Sequence, residues 1–438
     1  MAKTILYAGT YTYDLDTNQK TNSQGIYVYD FDQENGSLEL IATVPGKKNP
    51  TFLAFGGGFL YSSNEYIGKA HFSSYQIDKK TGIPHFMNDR IVPEGSSTCH
   101  IALDQGVKRL FSANYFSGNL VSCAILDDGS LGEPIQIQQH IGSSINKERQ
   151  SEPHVHSVNI DNQGNYLLAT DLGTDSIMIY KIDKTEGKLV VNASQACEAV
   201  PPGEGPRHFV FHPNGKHAYL STELGGHVIV FDYDEGHGTL CRKQMISTLP
   251  ESYKGYIHVG HIDVSPDGKF VLASNRGHDS IAVYAVSKDG TLKMTDLAGS
   301  FGKFPRHFCF NAGGNRLIIS NRLSNCISVC NFDRKQGKIG ELLWEQKYLL
   351  PRLLRFANCH NKTGFVKKPK SVLQNSPQKC RDQAPKKGMP DLCICFKVSR
   401  TEHNHPTGIH LRLCRSIQVE GAFSLLKTTL LSDGSSQR

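Results

Sequence analysis

No run of about 18 or more apolar residues occurs anywhere in the 438-residue chain, which excludes a membrane-spanning helix. Met1-Ala2-Lys3-Thr4 leads directly into an apolar strand, Ile5–Ala8, without a leader or cleavage signal, so the expected location is cytoplasmic. The twelve cysteines show no paired spacing and read as reduced thiols. There is no Gly-x-Ser-x-Gly nucleophile elbow and no phosphate-binding P-loop. Charged residues make up 20% of the chain and hydrophobic ones 38%, as in a globular protein with its own core.

Charge is unevenly placed. The chain carries 48 Lys+Arg and 41 Asp+Glu, a net charge of +7. Residues 1–346 hold 31 and 36 of these, giving −5, and residues 347–438 hold 17 and 5, giving +12. The split marks two segments: a domain over 1–346 and a basic tail over 347–438.

What the first segment has is repetition. The pairs Phe52/Asn64, His100/Asn114, His156/Asp171, His208/Glu223, His261/Asn275 and His307/Asn321 recur with an internal spacing of 12–15 residues. Successive units lie roughly 50 residues apart, the length of a four-stranded propeller blade. Asn214-Gly215 and Asp267-Gly268 supply the positive φ of hairpin turns. Parts of a seventh unit occupy the N-terminus, where Ile5–Thr10 lacks a preceding strand. The expectation is an all-β, seven-bladed β-propeller, incompletely closed because Pro351 interrupts the segment Leu349–Phe356 that would complete it. An open edge predicts self-association and reduced stability.

Radial symmetry carries equivalent positions to one place, so departures from the repeat carry the chemistry. Arg207 and Arg306 precede a histidine, Asp171 and Glu223 are acids where other units place Asn, and Arg276 and Arg322 follow Asn. Pro153-His154-Val155-His156 doubles the histidine. Together these predict a cationic cleft for a small anion, since guanidinium binds carboxylate or phosphate through a rigid fork. The simpler reading of His100, His208, His261 and His307 is structural, each imidazole bonding neighbouring backbone, and the Asn set reads as turn caps. Too few acids face the channel for a calcium site, and no third ligand accompanies His154 and His156.

Gly205-Pro206-Arg207-His208-Phe209, Ser221-Thr222-Glu223-Leu224, Ser274-Asn275-Arg276-Gly277-His278-Asp279 and Phe304-Pro305-Arg306-His307-Phe308 resemble the lactonase family of seven-bladed propellers. That family includes bacterial 6-phosphogluconolactonase and the fungal carboxy-muconate cyclase. The resemblance covers residues 4–346, about four-fifths of the chain. It implies hydrolysis of 6-phosphoglucono-δ-lactone to 6-phosphogluconate in the pentose phosphate pathway, with no cofactor and no metal. The implied catalytic residues are His156 (or His154), Arg207, Glu223 and Arg276. Glu223 or His156 would be the general base, Arg207 would stabilise the oxyanion, and Arg276 with Arg306 would hold the phosphate. His154, His208, His261, Arg306 and His307 are the candidate substrate-binding residues. A cycloisomerase acting on a carboxylated muconate and a non-catalytic binding propeller are the alternatives. The implied partner is a small anionic sugar-phosphate lactone, with no specific nucleic acid and no membrane.

The tail departs from that pattern. Cys393, Cys395, Cys359, Cys380, Cys414, His403 and His405 match no standard zinc-finger spacing and read as free thiols and histidines. Arg415-Ser416-Ile417-Gln418-Val419-Glu420-Gly421-Ala422-Phe423, within 411–427, resembles the C-terminal acidic segment of a DDE-type transposase. No partner aspartates accompany it. The implication is a mobile-element remnant fused to a lactonase, with activity impaired by the replaced C-terminus.

Overall fold

The computed structural model describes residues 4–15, 19–45, 47–347 and 351–357. The cysteine and transposase-like motifs of the tail lie outside the described residues. Within them the architecture is a seven-bladed propeller without a helix. Six blades run in chain order from inner to outer strand: innermost are Pro50–Gly56, Thr98–Asp104, Val155–Ile160, Pro206–Phe211, His258–Val264 and Pro305–Phe310. In one blade two short segments, Leu189–Val191 and Cys197–Ala199, share the outer position against Ser176–Ile182.

The seventh blade corrects the expectation of an open ring. Pro351–Ala357 pairs antiparallel with Ile5–Thr10, from Ile5↔Ala357 to Thr10↔Pro351, and becomes the inner strand of the N-terminal blade. Pro351 does not break this ladder, because it is the first residue of its strand, where no N–H is required. Pro50, Pro206 and Pro305 open inner strands in the same way. The edge on which self-association and impairment were expected is therefore paired.

Apolar side chains fill the space between blades. Tyr219, Val228 and Val230 of one blade pack on Val264, Val271, Ala273 and Ala282 of the next. A recurrent bond fixes the blades to one another. The hydroxyls of Tyr7, Tyr61 and Tyr219 donate to the carbonyls of Gly82, Gly129 and Gly290, at 2.6, 2.9 and 3.1 Å, each a turn in an adjoining blade. These glycines have φ of 75–84°, which a side chain would strain.

The Asn set is structural, as its sequence position suggested. Asn275 Nδ2 donates to Thr248 O (3.0 Å) and Asn321 Nδ2 to Ser300 O (2.9 Å), tying loops to the second strand inside the protein. Asp171 holds that position in its own blade, accepting from the backbone N–H of His154 and Gly173.

Candidate functional site

Every inner strand carries a β-bulge close to its start. The shifts fall at Pro50/Phe52, Thr98/His100, Val155/Ser157, Pro206/His208, Val259/Ile262, Pro305/His307 and, in the closing blade, Gly9/Thr10 opposite Arg352. A bulge inserts one extra residue and re-aims its side chain. The extra residues are Thr51, Cys99, His156, Arg207, Gly260, Arg306 and Arg352, which together form one ring. The residues immediately after them, Phe52, His100, Ser157, His208, His261, His307 and Leu353, form another.

This register corrects two alignments. His156 occupies the position of Arg207 and Arg306, and Ser157 that of His208. Thr222, not Glu223, pairs opposite Pro206, so Glu223 matches Glu65, Arg276 and Arg322, one step beyond the Asn ring.

The first ring and the residues following the second strands enclose a cavity of about 390 Å³ at one mouth of the channel. Glu223 lies at its centre, 3% exposed. Its Oε2 accepts from Arg207 Nε and Arg276 Nη2, both at 2.8 Å. Its Oε1 accepts from Arg149 Nη2 and His258 Nε2, both at 2.7 Å. His156 Nε2 stands 3.8 Å from Oε2. Burial pushes the Glu223 carboxyl up, but Arg276, His258 and Arg207 outweigh it and hold the group well below its ordinary range. Glu223 is thus a fixed anion and a poor proton acceptor.

Two loops complete this half. Gln150 Nε2 donates to Leu172 O and Ser144 Oγ to Asp175 Oδ2, which anchors the segment carrying Arg149. Tyr256 donates from its hydroxyl to His258 Nδ1 at 2.6 Å, so the His258 proton sits on Nε2 and faces Glu223. Burial first, then Arg276, lowers the His258 pKa to about 4, and the ring is neutral.

His156 is 5% exposed, and burial, reinforced by Arg207, holds its pKa well below the usual imidazole value. It stays unprotonated through neutral pH. Cys99 beside it is no nucleophile: burial pushes its thiol up to about 12. His154 stacks on Tyr115 with centroids 4.4 Å apart, and its Nδ1 donates to the Tyr115 carbonyl.

Arg207 lies behind the cavity wall. Its donors go to Glu223 and, at 2.8 Å, to the Gly260 carbonyl. Burial lowers its pKa only to about 10, so it remains charged. The guanidiniums lining the cavity are Arg149, Arg276, Arg306, Arg322 and Arg352.

The other half centres on Tyr11 and Glu65. Glu65 accepts from Ser97 Oγ, Thr51 Oγ1 and Tyr11 OH, each at 3.1 Å, and pairs with Arg352. Arg306, Arg322 and Arg352 surround the Tyr11 ring at 5.9, 5.3 and 5.0 Å. Arg306 has no carboxylate partner among the described residues, and its buried Nε has no hydrogen bond. It is the guanidinium most available to an incoming anion.

His208, His261 and His307 are not part of this cavity. His208 and His261 share a hydrogen bond between their Nδ1 atoms (2.8 Å), and His307 stacks on His261 at 3.8 Å. With His100 and Phe52, His208 and His261 line a different cavity, of about 510 Å³, together with Asp263 and Arg355.

The sequence reading omitted Arg149, His258, Tyr11 and Arg352. The first two stand on loops or at a strand start with no repeat signal. Arg352 did carry one, because Pro351-Arg352 repeats Pro206-Arg207 and Pro305-Arg306.

Five guanidiniums around one polar cavity make this mouth of the propeller a candidate site for a small anion. The model of the family described as "Lactonase, 7-bladed beta-propeller" matches residues 5–349. The chain belongs to that family. It is 34% identical over 342 residues to the 6-phosphogluconolactonase of Bacillus subtilis, covering 77% of this chain and 94% of the relative. It is 31% identical over 345 residues to the 6-phosphogluconolactonase of Formosa agariphila, covering 77% and 95%. The solved structure of a periplasmic gluconolactonase from Pseudomonas aeruginosa superposes with a TM-score of 0.76 at 31% identity, covering 82% and 100%.

Proposed function

We propose that the lactone opened by this lactonase is 6-phosphoglucono-δ-lactone, yielding 6-phosphogluconate in the cytoplasm as a step of the pentose phosphate pathway. The observation that carries the reading is Glu223, a buried carboxylate bearing Arg149, Arg207 and Arg276 beside the neutral imidazole of His156. Two relatives that bear the name 6-phosphogluconolactonase support the substrate.

In this mechanism His156 takes a proton from water as its oxygen attacks the lactone carbonyl. The resulting oxyanion lies against Arg276 and Arg149, which Glu223 holds in place before the reaction begins. The C–O bond of the ring then breaks, and the proton on His156 passes to the leaving alkoxide. The product acid ionises. Glu223 and Arg207 are positioning residues: each Glu223 oxygen already accepts two hydrogen bonds, which leaves no acceptor site for a proton from water. Arg306, with Arg352 near it, binds the phosphate.

Hydrolysis of 6-phosphoglucono-δ-lactone, unphosphorylated glucono-δ-lactone and a carboxylated muconate by the purified full chain tests this. The phosphorylated lactone is expected to have the highest kcat/KM, by about tenfold or more over the unphosphorylated one, given the strength of a charge-assisted phosphate contact. Equal kcat/KM for the two lactones removes the phosphate assignment, and turnover of the muconate alone favours the cycloisomerase. Glu223→Gln is expected to lose about a hundredfold or more in kcat, the scale on which oxyanion-stabilising groups act. Rates within twofold of the parent for both Glu223→Gln and Arg207→Ala refute the mechanism.

A further inference from the structure

We propose that Arg352, carried on the strand that closes the ring, binds the anionic ligand of the cavity, so that ligand occupancy and ring closure are coupled. The inference rests on the same cavity as the proposed lactonase site, but on its taking an anion rather than on the reaction that follows.

Pro351–Ala357 is the last described strand, yet it lies against the first, Ile5–Thr10. Its apolar residues serve two cores. Leu353 packs with Ile5, Tyr7 and Phe52, and Leu354 with Leu6, Ala8 and Ile327. Both are fully buried. Between Pro351 and Leu353, the bulge turns Arg352 into the channel, at the ring position that Arg207 and Arg306 hold in their blades.

There Arg352 bridges the seam. It contacts the Tyr11 hydroxyl, just past the end of the first strand, and the Glu65 carboxylate, from the following blade. Both Arg352 and Glu65 are nearly inaccessible, with side chains 5% exposed. Arg306, from the preceding blade, reaches the same hydroxyl at 3.3 Å. An anion on Arg306 and Arg352 therefore touches the closing strand and the blade before it, while Glu65 ties Arg352 to the blade after it.

Charge gives the coupling its sign. Three guanidiniums crowd Tyr11, while among the described residues Glu65 pairs with Arg352 and Asp14 with Arg322. Like charges in a poorly solvated site repel, so an anion placed among them stabilises the arrangement. A ligand that binds only the closed ring shifts the equilibrium towards closure by mass action. The reverse holds: a strand open for much of the time withdraws Arg352 from the site and weakens binding in proportion, whereas one loosened but still mostly closed does not.

Calorimetric binding of inorganic phosphate and 6-phosphogluconate to the full chain tests this, with hydrogen exchange of the Ile5–Thr10 amides and the melting temperature as structural readouts. In the parent both ligands are expected to slow that exchange and raise the melting temperature. Arg352→Leu is expected to lose tenfold or more in affinity for both, and the ligand-induced slowing with it. Leu354→Ala, which weakens the same strand from its core side, is expected to melt lower yet keep the slowing, with affinity within threefold of the parent. Arg352→Leu binding within twofold of the parent overturns the proposal, as does equal loss of affinity in Leu354→Ala while its ligand-free Ile5–Thr10 exchange stays as slow as the parent's; equal loss with faster exchange means the strand has opened and supports it. If Arg352→Leu does not fold, Arg352→Lys decides, because it keeps the charge without the fork: affinity reduced threefold or more supports the proposal, and unchanged affinity overturns it. A parent that binds phosphate but not 6-phosphogluconate refutes the proposed substrate and leaves the coupling standing. A parent that binds neither overturns both.

Discussion

The two cavities of the channel are lined by adjacent residues of the same strands, yet they differ in chemistry. At one mouth Arg207, Arg306, Arg352 and His156 occupy the bulge position, where Arg207 and His156 meet Glu223 and Arg352 meets Glu65. One residue further along, His100, His208 and His261 line the other cavity, around a neutral imidazole pair. Burial, then Arg207 and the neighbouring rings, holds His208 well below its usual pKa, and burial with Arg355 does the same for His261. The first arrangement presents fixed cationic donors to a ligand. The second keeps uncharged rings stacked and bonded to one another, so its imidazoles offer an anion no charge. A one-residue step along a bulged strand is enough to separate the two.

Substitutions on either side of that step test the difference. The largest contrast is expected between His156→Gln and His208→Gln. The first removes the proposed general base and is expected to lower kcat by about 10²–10⁴-fold, while the second leaves kcat within a few-fold. Steady-state rates on 6-phosphoglucono-δ-lactone decide it, and equal losses would erase the distinction between the two rings.

Next in size is Arg306→Ala. With a guanidinium that has no carboxylate partner among the described residues gone, KM for the phosphorylated lactone is expected to rise about tenfold to a hundredfold, the value of a charge-assisted hydrogen bond, with kcat changed little. KM for unphosphorylated glucono-δ-lactone should barely move, and a parallel rise for both substrates would place the phosphate elsewhere.

The smallest effects concern pH. His156 is held neutral to well below its ordinary pKa, so kcat/KM should stay level as pH falls through 6.5 and decline only under more acidic conditions. Stability follows the same sign. His100, His156, His208, His261 and His307 all have depressed values in the folded state. Their contribution is complete above the unfolded imidazole pKa of about 6.5. It is lost as pH falls below that value, because the unfolded chain then binds protons that the folded chain does not. Glu223 adds a further loss below its unfolded value of about 4.3. Denaturant melts between pH 7 and 5 should therefore show falling stability, with a shallower fall in His208→Phe. An unchanged slope in that variant would mean that the ring beside His261 titrates normally.

Parts of this site were legible in the repeat, and parts were not. Blade length, hairpin turns and the buried Asn positions follow from spacing alone. Arg207, Glu223, Arg276 and His156 do come together around one carboxylate, but the roles shift: Arg207 is behind the wall, and His208, His261 and His307 belong to the other ring. The misreading had a physical cause. A spacing of 12–15 residues cannot distinguish one strand position from the next when each strand contains a bulge, so His156 was aligned with His208 and Glu223 with Asn64. Arg149 reaches Glu223 from a loop and His258 from the start of an inner strand, two positions without a counterpart in the repeated motif. Pro351 reads locally as a strand breaker, although three other blades begin an inner strand with proline.

The amino-acid sequence alone determined the blade count, the all-β class and the family, since these depend on local alternation, turn residues and motifs that recur in order. Only the tertiary structure decided which mouth each side chain faces, that Pro351–Ala357 closes the ring, and that Arg352 joins the site. Those outcomes depend on bulge register and on pairing between residues more than 340 positions apart, as in Ile5↔Ala357. Contacts over that distance follow from radial packing and leave no trace in local spacing.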